Sequence, residues 1–261
     1  MTKSLAAAAM AVLLSVPLHA DLKYTMTIDM HASSVPVPAP ASPVTAMLGR
    51  AIVSRMAPSG AVHTTVFVSD AGTRVEYGQA YLIIPAGGVT IARPDGTLVV
   101  LDPAHKTYWK TAVSTMAASG LKPEVTVHRT GEHSKIAGVD AERAMLAIRV
   151  PLPIPPGAKM PAGLPTELSM SGDVWLSNRY KAYMRSATGL SGGMGLLGTE
   201  TLASEGFVMK SILRGDVFGG EELEAVVTSI GETKAPAGAF DIPAGYTEVS
   251  APVALPVPSA Q

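Results

Sequence analysis

Few residues in this chain are equipped for chemistry, and their spacing argues against a reaction centre. Gly189-Leu190-Ser191-Gly192-Gly193 matches G-x-S-x-G, the pattern in which a tight strand-to-helix turn exposes a nucleophilic serine. That chemistry needs an acid and then a histidine further along, yet the last histidine is His133, upstream of Ser191. The segment therefore reads as a glycine-rich loop, and it lacks the Lys-Ser/Thr of a phosphate-binding loop. Asp140/Glu142 and Glu221/Glu222 are close enough in sequence to be tried as acid and base. Both pairs read instead as solvated turn charges, and neighbours such as Glu221 and Glu222 face opposite ways along a strand.

Metal chemistry fares no better. His31, His63, His105, His128 and His133 form no H-E-x-x-H or other zinc spacing, and they read as surface or strand-edge residues. Met26, Met30 and His31 offer thioethers and an imidazole, a ligand set that suits copper. Strand alternation puts both methionines on one face and His31 on the other, so the set does not converge. The residues imply no catalytic group, no metal and no cofactor.

What remains is apolar. Eleven of the 13 methionines lie beyond residue 20. Methionine fills irregular space and adapts to variable apolar ligands, although ordinary core filling explains it equally well. Met26, Ile28, Met47, Leu48, Ile52, Trp109 and Trp175 are the candidate lining of a hydrophobic pocket.

Positioning these residues requires a sheet. Leu22, Tyr24, Met26, Ile28 and Met30 alternate with Lys23, Thr25, Thr27, Asp29 and His31, the period of a strand with one buried face. An extended Pro-rich connector, Val35–Pro40, leads to Ser42-Pro43, the N-cap and first residue of a predicted helix. Its stripe of Val44, Met47, Leu48, Ala51, Ile52 and Met56 would press on the sheet. From Val62 the chain reads as a meander: strands over 62–69, 73–77, 81–84, 89–93, 97–101 and 106–109, broken by Pro/Gly/Asp turns. A short helix is expected over 111–119. Strands follow over 124–130 and 143–150, joined around Gly131–Ala141, and then over 170–177, 207–214 and 223–230. Six prolines make 151–165 a stiff loop, Ser186–Gly206 is a glycine-rich excursion, and 252–258 is a Pro-rich tail.

The expected fold is mainly β (α+β): about nine to eleven antiparallel strands with two or three short helices. A closed barrel, a half-barrel around helices and a sandwich all satisfy this pattern. Composition agrees with a globular domain, at 47% apolar and 16% charged residues. Lys3, the run Leu5–Val16 and Leu18-His19-Ala20 before Asp21 have the layout of a secretory signal peptide, with cleavage expected after Ala20. The expected organisation is a signal peptide over 1–20, one domain over 21–250 and a tail over 251–261, in a periplasmic or secreted protein. Removing Lys3 from 20 basic residues leaves 19 against 21 acidic ones, no electrostatic footprint for nucleic acid. Beyond the leader no run approaches the ~20 apolar residues of a membrane helix. An outer-membrane barrel fits poorly with 5% aromatic content. With no cysteine, packing and hydrogen bonds alone hold the fold.

Three motifs in order carry a family resemblance. They are Lys135-Ile136-Ala137-Gly138-Val139, Gly172-Asp173-Val174-Trp175-Leu176 and the closing Phe240-Asp241-Ile242-Pro243-Ala244-Gly245-Tyr246. This order resembles a domain-of-unknown-function family of secreted bacterial proteins grouped with the LolA/LolB-like lipoprotein-carrier fold. The resemblance implies a curved antiparallel half-barrel with helices on its concave, apolar side, and no catalytic residues. It implies a lipid or lipoprotein acyl chain as partner, or alternatively an envelope protein met by a module without a small-molecule ligand. The long Pro-rich and glycine-rich segments depart from the family's pattern and would reshape an inherited pocket.

Overall fold

The computed structural model describes residues 21–33, 35, 60–112, 124–151, 166–185, 199–215, 218 and 220–251. The predicted leader, the helix over 42–56, the G-x-S-x-G segment, most of 151–165 and the Pro-rich tail lie outside the described residues.

Twelve strands build one sheet: β1 (Leu22–Ala32), β2 (Val62–Ser69), β3 (Gly72–Tyr77), β4 (Val89–Ala92), β5 (Thr97–Asp102), β6 (Thr107–Ala112), β7 (Glu124–Ile136), β8 (Val139–Pro151), β9 (Glu167–Ser177), β10 (Phe207–Gly215), β11 (Glu221–Glu232) and β12 (Thr247–Glu248). Their order is β12-β6-β5-β4-β3-β2-β1-β11-β10-β9-β8-β7. Two meanders flank the first strand, because β1 pairs with β2 on one side and with β11 on the other. The sheet is open, with β12 and β7 at its edges, and it is mixed only because β12 runs parallel to β6. A curved half-barrel fits this arrangement.

Inward residues follow the predicted alternation. In register, Leu22 faces Val68, Tyr24 faces Val66 and Ile28 faces Val62, all buried. The same face continues through Val75 and Val100 to Trp109 on one side. On the other it runs through Val227, Leu213, Val174 and Leu146, and all belong to one apolar cluster. A 3-10 turn (Lys181–Arg185) and helix α1 (Thr199–Glu205) lie on this inner face, contributing Met184, Leu202 and Ala203. Arg129 fastens α1: its guanidinium donates to the Glu205 backbone carbonyl at the helix end and pairs with the Glu142 and Glu205 carboxylates.

A second apolar cluster occupies the opposite face of β4 and β5. Val89, Ile91, Val99 and Leu101 are covered there by Tyr108, Phe240, Ile242 and Tyr246. The closing motif thus anchors the chain end on the outside of the sheet, with Arg74 Nη1 donating to the Ala239 carbonyl at 2.8 Å. Elsewhere the outer face is charged. Glu132, Arg143, Asp173, Arg214, Glu222, His31, Glu224 and Lys210 form, in that order, an unbranched chain of ion pairs across β7, β8, β9, β10, β11 and β1.

Several expectations need correction. Gly131–Ala141 is no loose connection: β7 and β8 run on to a two-residue turn in which Ala137 and Gly138 have φ of 48° and 77°. Positive φ at both centres is the type I′ geometry whose twist matches a hairpin, and glycine takes one of them without cost. Tyr81–Ile84 is a bridge closing a tight turn, not a full strand. Thr111 and Ala112 belong to β6 rather than to a helix, and the glycine-rich excursion ends in α1. Glu222 is buried, not a solvated turn charge, because Arg214 and His31 neutralise it.

Candidate functional site

The inner face of β1–β6 is the candidate site. Tyr24, Tyr77 and Trp109 project inward because each occupies an inward register position, opposite Val66, Thr64 and Val100 respectively. Tyr81 joins them from the turn after β3. Mutual backbone hydrogen bonds between Tyr81 and Ile84, at 3.0 and 2.8 Å, close that turn and bury both side chains. The Tyr77 and Tyr81 rings stack at 5.7 Å with an interplanar angle of 16°. Tyr24 meets Phe207 edge-on at 5.3 Å, and Phe207 in turn meets Tyr180 at 6.0 Å. Aromatic edges and faces therefore line the interior from one meander into the other.

Burial sets the electrostatics. It pushes the Tyr77 phenol up to about 12. Burial, and then the neighbouring Tyr77 phenol, hold Tyr24 and Tyr81 well above the ordinary tyrosine range. All three stay neutral hydroxyls at any physiological pH. Among the described residues, Tyr81 Oη, Thr90 Oγ1, Trp109 Nε1 and Ser211 Oγ are buried without a hydrogen-bond partner. Ser211 lies in register between Ala225 and Val174, so no base adjoins its hydroxyl. Apolar contact with a few polar anchor points is what this surface can offer.

The predicted lining divides. Met26, Ile28 and Trp109 are buried on the inner face. Trp175 does not join them: register sets it between Arg143 and Lys210 on the outer face, with Lys210 Nζ 5.3 Å from its ring centre. Unbroken alternation along β9 makes Met170, Val174 and Leu176, not Trp175, its inward residues. Met47, Leu48 and Ile52 lie outside the described residues. Tyr77, Tyr81 and Phe207 were missed by sequence reasoning. Alternation within 73–77 and 207–214 could have found Tyr77 and Phe207, whereas Tyr81 turns inward only through its tight turn.

The copper set Met26, Met30 and His31 is separated as expected. His31 is on the outer face, its Nδ1 3.5 Å from Glu222 and its Nε2 3.3 Å from Glu224. Among the described residues no group of three potential ligands could hold a metal ion. Two clefts open on the surface of the described residues. One, of about 320 Å³, is lined by Arg129, His133, Asp140, Glu142 and Arg179. The other, of about 440 Å³, is lined by Met26, Tyr77 and Val89 together with Thr25, His63 and Glu76, so it takes in Met26 of the predicted lining beside polar side chains. Among the described residues no helix is long and apolar enough to cross a membrane.

No family model matches the chain, and no curated protein matches it. Similar solved structures include an uncharacterized conserved protein from Thermus thermophilus, at 8% identity and TM-score 0.44, covering 89% of this chain and 91% of that one. A LolA superfamily protein from Nitrosomonas europaea shares 9% identity at TM-score 0.33, covering 85% and 90%. The Mycobacterium tuberculosis lipoprotein LppX shares 11% at TM-score 0.30, covering 78% and 84%. The similar structures thus include a LolA superfamily member, the group that the sequence motifs resemble. At such identities and TM-scores the likeness extends to no ligand, activity or partner.

Proposed function

We propose that this chain is a non-enzymatic binding protein or carrier, secreted to the envelope, that shelters an apolar ligand such as a lipid or acyl chain on the inner face of its open sheet. The observation that carries the reading is the continuity of that face. One apolar cluster extends from Trp109 on β6 to Ile148 on β8 across an unclosed sheet. Burial of apolar surface, at about 25 cal/mol per Å², supplies the affinity, and methionines at 26, 170, 184 and 209 supply an adaptable lining. The test is native mass spectrometry of protein released by osmotic shock without detergent. A species carrying extra mass that organic extraction removes is the expected result. Bare polypeptide throughout, with no uptake of added acyl chains, refutes the reading.

A second reading, an envelope interaction module, is favoured by one feature. Leu82 and Ile83 stand 39% and 44% exposed at the tip of the turn after β3, an exposed pair of large apolar side chains. Protein captured through this tip, and released by Leu82→Gly with no ligand ever found, would favour it.

A further inference from the structure

We propose that the sheltered ligand carries an uncharged hydrogen-bond acceptor, a carbonyl of the ester, amide or ketone type, received by the Trp109 indole and the Tyr81 hydroxyl. The inference rests on the apolar-ligand reading above and gives that ligand a chemical class.

Trp109 decides it. Its Nε1 is buried with no partner among the described residues, and an indole nitrogen can only donate. The nearest inward residues in its row are Val100 on β5 and, one strand further, Thr90 on β4, so the sheet itself offers the indole little to bond. The Tyr81 hydroxyl is a second buried group without a partner. Tyr81 stacks on Tyr77, whose phenol adjoins Thr90, and Thr90 stands two strand spacings, about 10 Å, from Trp109. With Thr90 Oγ1, three groups without a partner among the described residues thus lie on the inner face of one meander, and such a cluster calls for an explanation.

Charge narrows the class. The cations of this meander are directed elsewhere: Lys23 lies over the Phe67 ring, Arg74 pairs with Glu76, and Lys110 pairs with Glu248. Among the described residues no Lys, Arg or His faces the indole, so a carboxylate here would be buried without a counter-charge. A neutral carbonyl meets no such penalty: its oxygen accepts from the indole, and the Tyr81 hydroxyl is a second donor on the same face.

The experiment uses the full mature chain, stripped of ligand by organic extraction and refolded. It compares equilibrium binding of radiolabelled methyl laurate, tetradecane and laurate at pH 8. Methyl laurate should bind about tenfold more tightly than tetradecane, the ratio expected for one buried hydrogen bond, and also more tightly than laurate. Tyr81→Phe and Trp109→Phe should each bring the ratio of methyl laurate to tetradecane affinity most of the way back to one, whatever they do to the affinity for tetradecane itself. Tyr81→Phe deletes only the orphaned hydroxyl, so its stripped form should melt at or above wild type and serves as the variant that guards against misfolding, whereas Trp109→Phe also removes core volume and should melt lower. Equal binding of methyl laurate and tetradecane overturns the proposal and leaves the apolar-ligand reading standing, as does tighter binding of laurate. Failure of all three to bind overturns both.

Discussion

Gly172→Ala tests whether the bend of the sheet depends on a missing side chain. Gly172 is an inward position of β9, in register with Leu146 and Leu213. A Cβ there would stand 1.9 Å from the Ile212 carbonyl oxygen, 2.9 Å from its carbonyl carbon and 3.0 Å from Leu213 Cα. All three are backbone of β10, so no rotamer change relieves the clash. Carbon and carbonyl oxygen approach to roughly 3.3 Å at closest, so the strands must part by more than an ångström. Ladder bonds near 2.9 Å do not survive such a shift. Losing two or three of them in a buried setting, at about 1.5 kcal/mol each, gives a destabilisation of about 3–5 kcal/mol. For a domain of this size that lowers Tm by roughly 6–20 °C. Gly131→Ala is the control: its φ is +75°, yet nothing lies within 4 Å of the added carbon. The left-handed backbone alone should cost it about 1–2 kcal/mol. The assay is thermal and urea unfolding followed by near-UV circular dichroism. Gly172→Ala melting within about 2 °C of wild type would refute the argument that β9 and β10 curl tightly at this residue.

Three further outcomes are expected. Arg214→Met should cost about 3 kcal/mol in urea unfolding, because it leaves the buried Glu222 carboxylate without its 2.7 Å partner, and Glu222→Leu in the same chain should restore most of the loss; additive losses would contradict the pairing. The Ala32 carbonyl, and after it the Glu224 and Glu222 carboxylates, raise the His31 pKa above its ordinary 6.5. Protonated His31 therefore stabilises the fold below about pH 6.5, and that contribution is lost as pH rises through the raised value. Carboxylates held low, such as Glu224 beside Lys210, lose theirs only on acidification below about 4.5. His31→Gln should accordingly flatten the fall in urea midpoint between pH 5.5 and pH 8, and an unchanged slope would show that His31 does not drive it. Leu82 has φ of 54° at the first centre of its two-residue turn, where glycine is favoured. Leu82→Gly should stabilise the chain by about 0.5–1 kcal/mol, and a lower urea midpoint would count against strain at that turn.

Much of the fold was legible because strand alternation is a local property. Leu22–Ile28 had to present one apolar face whatever it paired with, and the punctuation at Asp70-Ala71-Gly72 and Pro94-Asp95-Gly96 had to turn the chain. Met26, Ile28 and Trp109 could be assigned to the interior on that ground alone. Trp175 was misassigned although alternation sets it with Ser169, Ser171 and Asp173, opposite Met170, Val174 and Leu176; its size, not its position, had suggested the interior. Glu222 looked like a solvated acid because its neutralising partners, Arg214 and His31, are 8 and 191 residues away in sequence (222 − 214 and 222 − 31). The closing motif announced an anchor but not which side of the sheet it would hold. Local sequence thus determined which residues alternate, where the chain turns and that most of the chemistry is apolar. Only the tertiary structure decided that β1 sits between two meanders, that their inner faces merge, and that Tyr81 and Trp109 bring unpaired polar atoms into that interior. Period two names two faces without ranking them, and long-range pairing chooses which one is covered.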